Sequence, residues 1–174
     1  MDRTHHYRTE LRWTGDRGEG TRGYAVYGRD YVVRADQAPE LLGSADPAFR
    51  GDPRRWNPEQ MLVGALSACH MLWYLHLCAV AGIRVVAYAD DAEGTMEVSP
   101  DGSGRFTEVV LRPRVFVAEG SIERARTLHE EAARACFIAS SVNFPVRHEP
   151  TVERARVDGS YGSTAEDPPP PAKP

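Results

Sequence analysis

Three cysteines, Cys69, Cys78 and Cys136, are the residues of this sequence best suited to chemistry. A thiolate can attack a peroxide oxygen and become a sulfenic acid, and a second thiol can then condense with it to a disulfide. Cys69 lies in the middle of a predicted helix and Cys136 directly follows a second one, so their thiols can meet only if the two helices pack together. The alternative is that both are small apolar core residues, since free cysteine is among the most buried residue types.

Two further side chains, His70 and Cys78, lie in the same predicted helix as Cys69. A histidine beside a thiol can form an ion pair that activates it, although a core or interface histidine with satisfied hydrogen bonds is the more common case. Cys78 follows Cys69 by nine residues and falls on a different face, which favours a packing role. The spacing of His70 and His76 does not match zinc patterns, so we expect no metal site.

The strongest helix signal begins at Asn57, a favourable N-cap with Gln60 at the capping-box position. Apolar residues then occupy almost every side of the helix up to a natural stop at Gly82. A helix that is apolar almost all round is expected to be buried almost all round. We therefore predict a long central helix.

The order of predicted strands and helices argues for an α+β fold rather than parallel βαβ repeats. Residues 35–56 form a predicted loop that is long enough to be functional or mobile. The sequence predicts one domain over residues 1–158, followed at residues 159–174 by a Pro-rich tail that cannot bury enough surface to become ordered. The predicted strands are residues 7–13, 23–27, 31–34, 84–89, 94–99, 106–117 (with Pro113 marking an edge or a bulge) and 151–157; the second helix is residues 121–134, and a short helical turn could follow at residues 136–142.

The composition of the 174-residue chain is typical of a soluble globular protein, with 41% apolar and 26% charged residues. Lys and Arg total 21 against 25 Asp and Glu, and this net charge of −4 argues against nucleic acid as a partner. Three cysteines are too few for a disulfide scaffold and indicate a reducing compartment. The first residues lack the apolar core of a signal peptide, and polar residues interrupt the apolar stretch at residues 61–83. We therefore expect a cytoplasmic protein with no membrane span.

The residues around Cys69 and Cys136 resemble the two motifs of the OsmC/Ohr family, the osmotically inducible and organic hydroperoxide resistance proteins. The first motif is Asn-Pro-Glu, then a stretch of small residues and a cysteine ten positions after the glutamate; here Glu59 and Cys69 keep that spacing. The second motif is a later cysteine that opens a short helical segment, which Cys136 matches. The resemblance covers residues 7–157. His70 departs from the family pattern, which commonly has an aromatic residue after the attacking cysteine.

The resemblance implies antiparallel sheets packed on the long buried helix and a second helix, in an intertwined homodimer with active sites at the subunit interface. It also implies a thiol peroxidase for organic hydroperoxides, with Cys69 as the attacking thiol and Cys136 as the resolving thiol. We expect the hydroperoxide in an apolar pocket near Trp73 and Phe137. An external dithiol, such as a lipoyl group or a thioredoxin-like protein, would reduce the oxidised pair, and no cofactor or metal is implied.

A positive charge is needed beside Cys69, because the helix dipole has little effect in mid-helix and burial raises the pKa of a thiol. Arg17, in an early Gly-rich turn, resembles the arginine of one branch of the family and is preferred; Arg50 resembles that of another branch. Glu59 matches the family glutamate that orients the arginine. Because Glu59 and Cys69 are about 15 Å apart along one helix, a shared site requires a Glu59 from the partner subunit or one that acts through a long arginine.

A non-catalytic binder of a small apolar ligand is the alternative function. The cysteines would then be part of a pocket wall, and the bulky helix residues, together with His70, would shape that pocket. A structural stress protein, whose function is the dimer itself, is a third possibility.

Overall fold

The chain forms three small sheets and two long helices in a computed structural model that describes residues 4–156. The prediction of an α+β fold is confirmed. The chain divides into two compact units, of which the first ends at Leu62 and the second begins at Val63. The longer helix, α1 (Pro58–Val80), begins in the first unit and continues in the second. The predicted tail at residues 159–174 lies outside the described residues, and a single domain over residues 1–158 stays a prediction.

The first unit contains a three-stranded antiparallel sheet. Two of its strands coincide with predicted strands, and the third lies within the predicted loop at residues 35–56. That segment also contains a 3₁₀ turn, Pro47–Phe49, which Asp46 caps by accepting a hydrogen bond from the amide of Ala48 at 2.8 Å. In order across the sheet, the strands are β1 (Glu10–Trp13), β2 (Tyr31–Arg34) and β3 (Leu41–Gly43).

Residues 23–27 form turns, so the prediction of a strand there was wrong. Their aromatic side chains pack locally, because the guanidinium of Arg29 lies over the rings of Tyr24 and Tyr27, 4.4 and 4.1 Å from the ring centres. Aromatic residues favour a strand through packing across a sheet, and here a cation occupies their faces instead.

Helix α1 begins and ends as the sequence predicts. Asn57 and Gln60 form a capping box: Asn57 Oδ1 accepts a hydrogen bond from the Gln60 amide at 2.7 Å, and Gln60 Oε1 accepts one from the Asn57 amide at 3.3 Å. After the helix the backbone turns at Gly82, whose φ of 67° lies in the left-handed region that favours glycine. The Ile83 amide then donates to the carbonyl of Cys78 at 2.9 Å.

Only one stripe of α1 is buried within this chain. Leu66, His70, Tyr74 and Cys78, spaced four residues apart, are the buried positions, whereas Leu72 is 64% exposed. The prediction that α1 is buried almost all round is therefore wrong for the single chain. By length and composition α1 is also apolar enough to cross a membrane, a property that core helices of soluble proteins share.

Two three-stranded sheets form the β structure of the second unit. Each consists of an antiparallel pair and a third strand that runs parallel to its neighbour, so the outer strands depart from the antiparallel arrangement expected. Both parallel strands follow the second helix in the sequence, and the shorter one, Val146–His148, was not predicted. One sheet has the order β4 (Arg84–Asp90), β7 (Pro113–Glu119), β9 (Thr151–Arg154), and the other β5 (Glu93–Val98), β6 (Gly104–Leu111), β8 (Val146–His148).

The predicted strand at residues 106–117 is divided between the two sheets at Arg112. Pro113 is the first residue of β7, a position that suits a residue with no amide hydrogen to donate. Asp90 fixes this junction: Oδ1 accepts a hydrogen bond from the Arg112 amide at 2.7 Å, and Oδ2 accepts one from the Ser67 hydroxyl at 2.5 Å. Asp90 thereby ties α1 to the turn between β6 and β7.

The second helix, α2 (Ile122–Ala135), packs its apolar face into the core of the second unit. Ser121 caps it, because its hydroxyl accepts a hydrogen bond from the Arg124 amide at 3.1 Å. The core joins the buried stripe of α1 to the inner faces of α2, β7 and β9. Its buried members are Tyr74, Cys78, Ile83, Val115, Val117, Ala125, Leu128, Ala132 and Val152.

Candidate functional site

The thiols of Cys69 and Cys136 are in hydrogen-bond contact. Cys69 is half-buried in the middle of α1, and Cys136, directly after α2, is only 1% exposed. Cys136 donates to the sulfur of Cys69, and its own sulfur accepts a hydrogen bond from the Ala139 amide at 3.4 Å. The structure thus brings together two thiols that are 67 residues apart in the sequence.

Burial raises the pKa of Cys136 to about 11, and the hydrogen bond to Cys69 adds to this rise. Cys136 is therefore a protonated thiol at neutral pH. The hydrogen bond that it donates holds its S–H group against the Cys69 sulfur. The arrangement suits Cys69 to act as a nucleophile and Cys136 to attack Cys69 once that sulfur is oxidised.

The third thiol, Cys78, belongs to the hydrophobic core. It is 1% exposed, and burial raises its pKa. A buried thiol of this kind is unreactive. The packing role expected of Cys78 is therefore confirmed.

An aromatic pair flanks the two thiols. Trp73 lies one helical turn after Cys69 and Phe137 directly follows Cys136, and their rings meet edge to face with centres 5.4 Å apart. Beside Trp73, Leu72 and His76 line an open hollow of about 290 Å³. Apolar surface is thus available at Trp73 and Phe137, the two aromatic residues near which the hydroperoxide pocket is predicted.

Three histidines from different elements form a cluster: the buried His70 of α1 and His129 of α2, and the half-buried His148 of β8. Nε2 of His70 and Nδ1 of His129 are 3.0 Å apart. Their ring centres are 5.3 Å apart and the planes differ by 9°, so the rings lie nearly end to end with the hydrogen bond between them. The ring centre of His148 is 5.6 Å from that of His70 and 6.4 Å from that of His129.

The first two rings are held in the neutral form. Burial lowers the pKa of His70 to about 4 and that of His129 to about 3; His148 contributes to both low values, and His70 contributes to that of His129. The ring of Tyr74 stacks on His129 with centres 3.9 Å apart. Within residues 4–156, no group of three or more His, Cys, Asp or Glu side chains is placed to hold a metal ion.

A small cavity of about 30 Å³ lies between the histidine cluster and Cys136. Its wall includes Leu66, His70, Cys136, Ala139 and His148. This volume is sufficient for one water molecule. The buried thiol of Cys136 and two of the three histidines therefore line a common small cavity.

Glu59 and the candidate arginines belong to the first unit. Glu59 Oε2 is buried with no hydrogen-bond partner among residues 4–156, and the pKa of Tyr31 is raised by burial and by the charge of Glu59. Arg17 and Arg50 are exposed, and neither forms an ion pair with Glu59 in the described part of the chain. The roles of Glu59, Arg17 and Arg50 stay predictions.

Sequence reasoning missed His129 and His148. His129 lies beside Leu128 on the face that carries Ala125 and Ala132, and a polar residue at such a position signals a buried hydrogen-bond partner. His148 ends β8, a strand of three residues that is too short to show an alternating pattern.

Comparison with known proteins identifies the family. The family described as OsmC-like protein matches residues 51–151, which is more than half of the chain and includes Glu59, Cys69 and Cys136. No curated protein matches the sequence.

Solved structures share the fold over most of their length. An OsmC-like protein of unknown function from Vibrio cholerae is 29% identical with a TM-score of 0.75, over 85% of this chain and 100% of that one. An organic hydroperoxide resistance protein from Elizabethkingia anophelis is 18% identical with a TM-score of 0.63, over 88% and 99% of the two chains. The organic hydroperoxide resistance protein OhrB of Bacillus subtilis is 16% identical with a TM-score of 0.56, over 84% and 98%. The family resemblance predicted from the two cysteine motifs is confirmed, and the chain belongs to the OsmC-like family.

Proposed function

We propose that the protein is a thiol peroxidase that reduces organic hydroperoxides and so contributes to peroxide resistance. The observation that carries the proposal is the contact between half-buried Cys69 and the protonated thiol of Cys136. Membership of the OsmC-like family, and a fold shared with proteins named for organic hydroperoxide resistance, support it.

In the proposed cycle, the thiolate of Cys69 attacks one oxygen of the hydroperoxide. The O–O bond breaks, the alcohol leaves after taking up a proton, and Cys69 becomes a sulfenic acid. Cys136 then condenses with this sulfenic acid, which releases water and forms a disulfide. An external dithiol, a lipoyl group or a thioredoxin-like protein, returns both residues to thiols by exchange. The cycle uses no cofactor.

The aromatic pair supports an organic substrate. The edge-to-face rings of Trp73 and Phe137 stand next to the two thiols, and Phe137 is 68% exposed. An apolar alkyl or aryl group would bury part of this exposed surface when its peroxide group reaches Cys69. Hydrogen peroxide has no such group and would gain nothing from these rings.

We propose that Arg17 supplies the permanent positive charge beside Cys69, with Arg50 as the alternative, and that Glu59 orients the guanidinium. Arginine suits this role because it cannot give up its proton. The buried and unpartnered Oε2 of Glu59, in the described part of the chain, supports a missing cationic partner.

A cytoplasmic, intertwined homodimer completes the proposal. On α1, Leu72 is 64% and Val80 74% exposed within one chain, and exposed apolar side chains on a long helix favour an interface. A second subunit could also bring Glu59 or an arginine to a site in its partner, and sedimentation equilibrium would measure the assembly state.

A stopped-flow assay with cumene hydroperoxide tests the peroxidase proposal. Wild type should consume the hydroperoxide and lose two thiols per chain with one equivalent. Cys69→Ser should be inert, and Cys136→Ser should stop after one turnover as a sulfenic acid that over-oxidises. Cys78→Ser is the matched control and should react as wild type does, because its thiol is buried in the core.

Equal slow rates for the wild type and all three variants would refute the peroxidase proposal. That outcome would favour the alternative, a non-catalytic binder of a small apolar ligand, for which the hollow at Leu72, Trp73 and His76 would be the first place to look.

A further inference from the structure

We propose that His148 is a further catalytic residue, the base that takes the proton of Cys136 when this thiol attacks the sulfenic acid of Cys69. The inference rests on the proposed function and concerns its second step. None of the family motifs contains this residue.

The cavity carries the geometric argument. Cys136 is 1% exposed, so its proton has no direct route to bulk solvent. The thiol and the imidazole of His148 line the same space of about 30 Å³, which is large enough for one water molecule. A base must lie within hydrogen-bond reach of the proton or be connected to it through one water.

Of the three clustered histidines, His148 is the one suited to accept this proton. The Nε2 atom of His70 is already hydrogen-bonded to Nδ1 of His129, and both rings are buried. Their pKa values, about 4 and about 3, make them weak bases, and the charge of His148 contributes to both low values. His148 is half-buried, so it can later exchange a proton with water.

The other groups around the cavity do not compete for the proton. Arg147 lines the wall but is paired with Glu108, and a guanidinium has no free acceptor. Tyr74 stacks on His129, and burial raises the pKa of its hydroxyl far above the ordinary value, so this group keeps its own proton.

The step balances without a further reagent. Cys136 gives its proton to the imidazole of His148, directly or through one water, and the sulfur lone pair attacks the sulfenic sulfur of Cys69. The S–S bond forms as the S–O bond breaks, and the departing oxygen keeps the electron pair of that bond. This hydroxide takes the proton from the imidazolium and leaves as water, so the sulfenic sulfur is reduced and the Cys136 sulfur is oxidised.

Rapid quench after one equivalent of cumene hydroperoxide separates the two steps. Sulfenic acid is trapped with dimedone and measured by mass spectrometry, and disulfide is measured as loss of the second thiol. His148→Gln should form sulfenic acid at the wild-type rate and form disulfide about 100-fold more slowly. His6→Gln, at an exposed position to which no role in the site is assigned, is the control and should match wild type in both steps.

The pH profile distinguishes a base from a structural residue. In wild type, disulfide formation should slow in acid, because an imidazolium has no free nitrogen to accept the proton, whereas in His148→Gln it should instead rise steeply with pH toward the pKa of Cys136, about 11. Imidazole added to His148→Ala should restore part of the rate. If the variants do not fold, a wild-type profile with no acid limb overturns the inference, as does an unchanged rate in His148→Gln. Failure of wild type to form sulfenic acid would instead overturn the peroxidase proposal.

Discussion

Lowering the pH from 7 to 5 should destabilise the protein through two buried histidines. His70 and His129 are 2% and 0% exposed, and burial lowers their pKa values from 6.5 to about 4 and about 3. Below pH 6.5 the unfolded chain binds protons at these rings that the folded chain does not. The stability they contribute is therefore complete above pH 6.5 and is lost as the pH falls toward 4 and then 3. At pH 5 each ring has lowered the free energy of unfolding by about 2 kcal/mol, and the pair by about 4 kcal/mol.

Urea denaturation at several pH values, at one protein concentration, measures this loss. The double variant His70→Gln, His129→Gln keeps a pair of neutral hydrogen-bonding side chains that do not titrate. Its free energy of unfolding should fall by about 4 kcal/mol less than that of wild type between pH 7 and 5. His76→Gln, exposed on the same helix as His70, should follow wild type. If the free energy of unfolding of wild type and of the double variant fell equally between pH 7 and 5, the assignment of acid sensitivity to this pair would be refuted.

Three further substitutions test other contacts. On the proposal that Arg17 supplies the cation beside Cys69, Arg17→Ala should slow alkylation of Cys69 by iodoacetamide at pH 7 about tenfold, because a cation beside a thiol favours the thiolate; the control Arg22→Ala should not, and equal rates would exclude Arg17. Phe137→Ala should raise KM for cumene hydroperoxide but leave turnover of hydrogen peroxide unchanged in steady-state assays, and an unchanged KM would remove Phe137 from the substrate pocket. Ser67→Ala should lower the free energy of unfolding by about 1–2 kcal/mol in urea, since it removes a hydrogen bond to a carboxylate; wild-type stability would contradict this.

Local signals in the sequence predicted the helices and most strands. Asn57, Gln60 and Gly82 bound α1 through hydrogen bonds and a left-handed turn that depend only on neighbouring residues. The strand predicted at residues 106–117 could not be divided correctly, because the division depends on Asp90, which is distant in sequence and receives the Arg112 amide.

The burial of α1 was misjudged for a related reason. Composition shows that a helix is apolar but not which molecule covers it, and in the single chain only every fourth residue is buried. The cysteine pair was accessible to prediction because each thiol has its own motif. The histidine cluster could not be predicted, because it forms only where α2 and β8 bring His129 and His148 into contact with His70.

A disulfide formed at the Cys69–Cys136 contact would join α1 to the end of α2 across 67 residues of chain. Closing a loop of that length restricts the unfolded ensemble and adds about 4 kcal/mol of stability by the chain-entropy account. Molecules in which Cys69 and Cys136 form the disulfide would then unfold at a higher temperature than molecules in which both are free thiols. Exposure to oxidant would in this way protect the folded protein from heat and proteolysis for as long as the disulfide keeps it inactive.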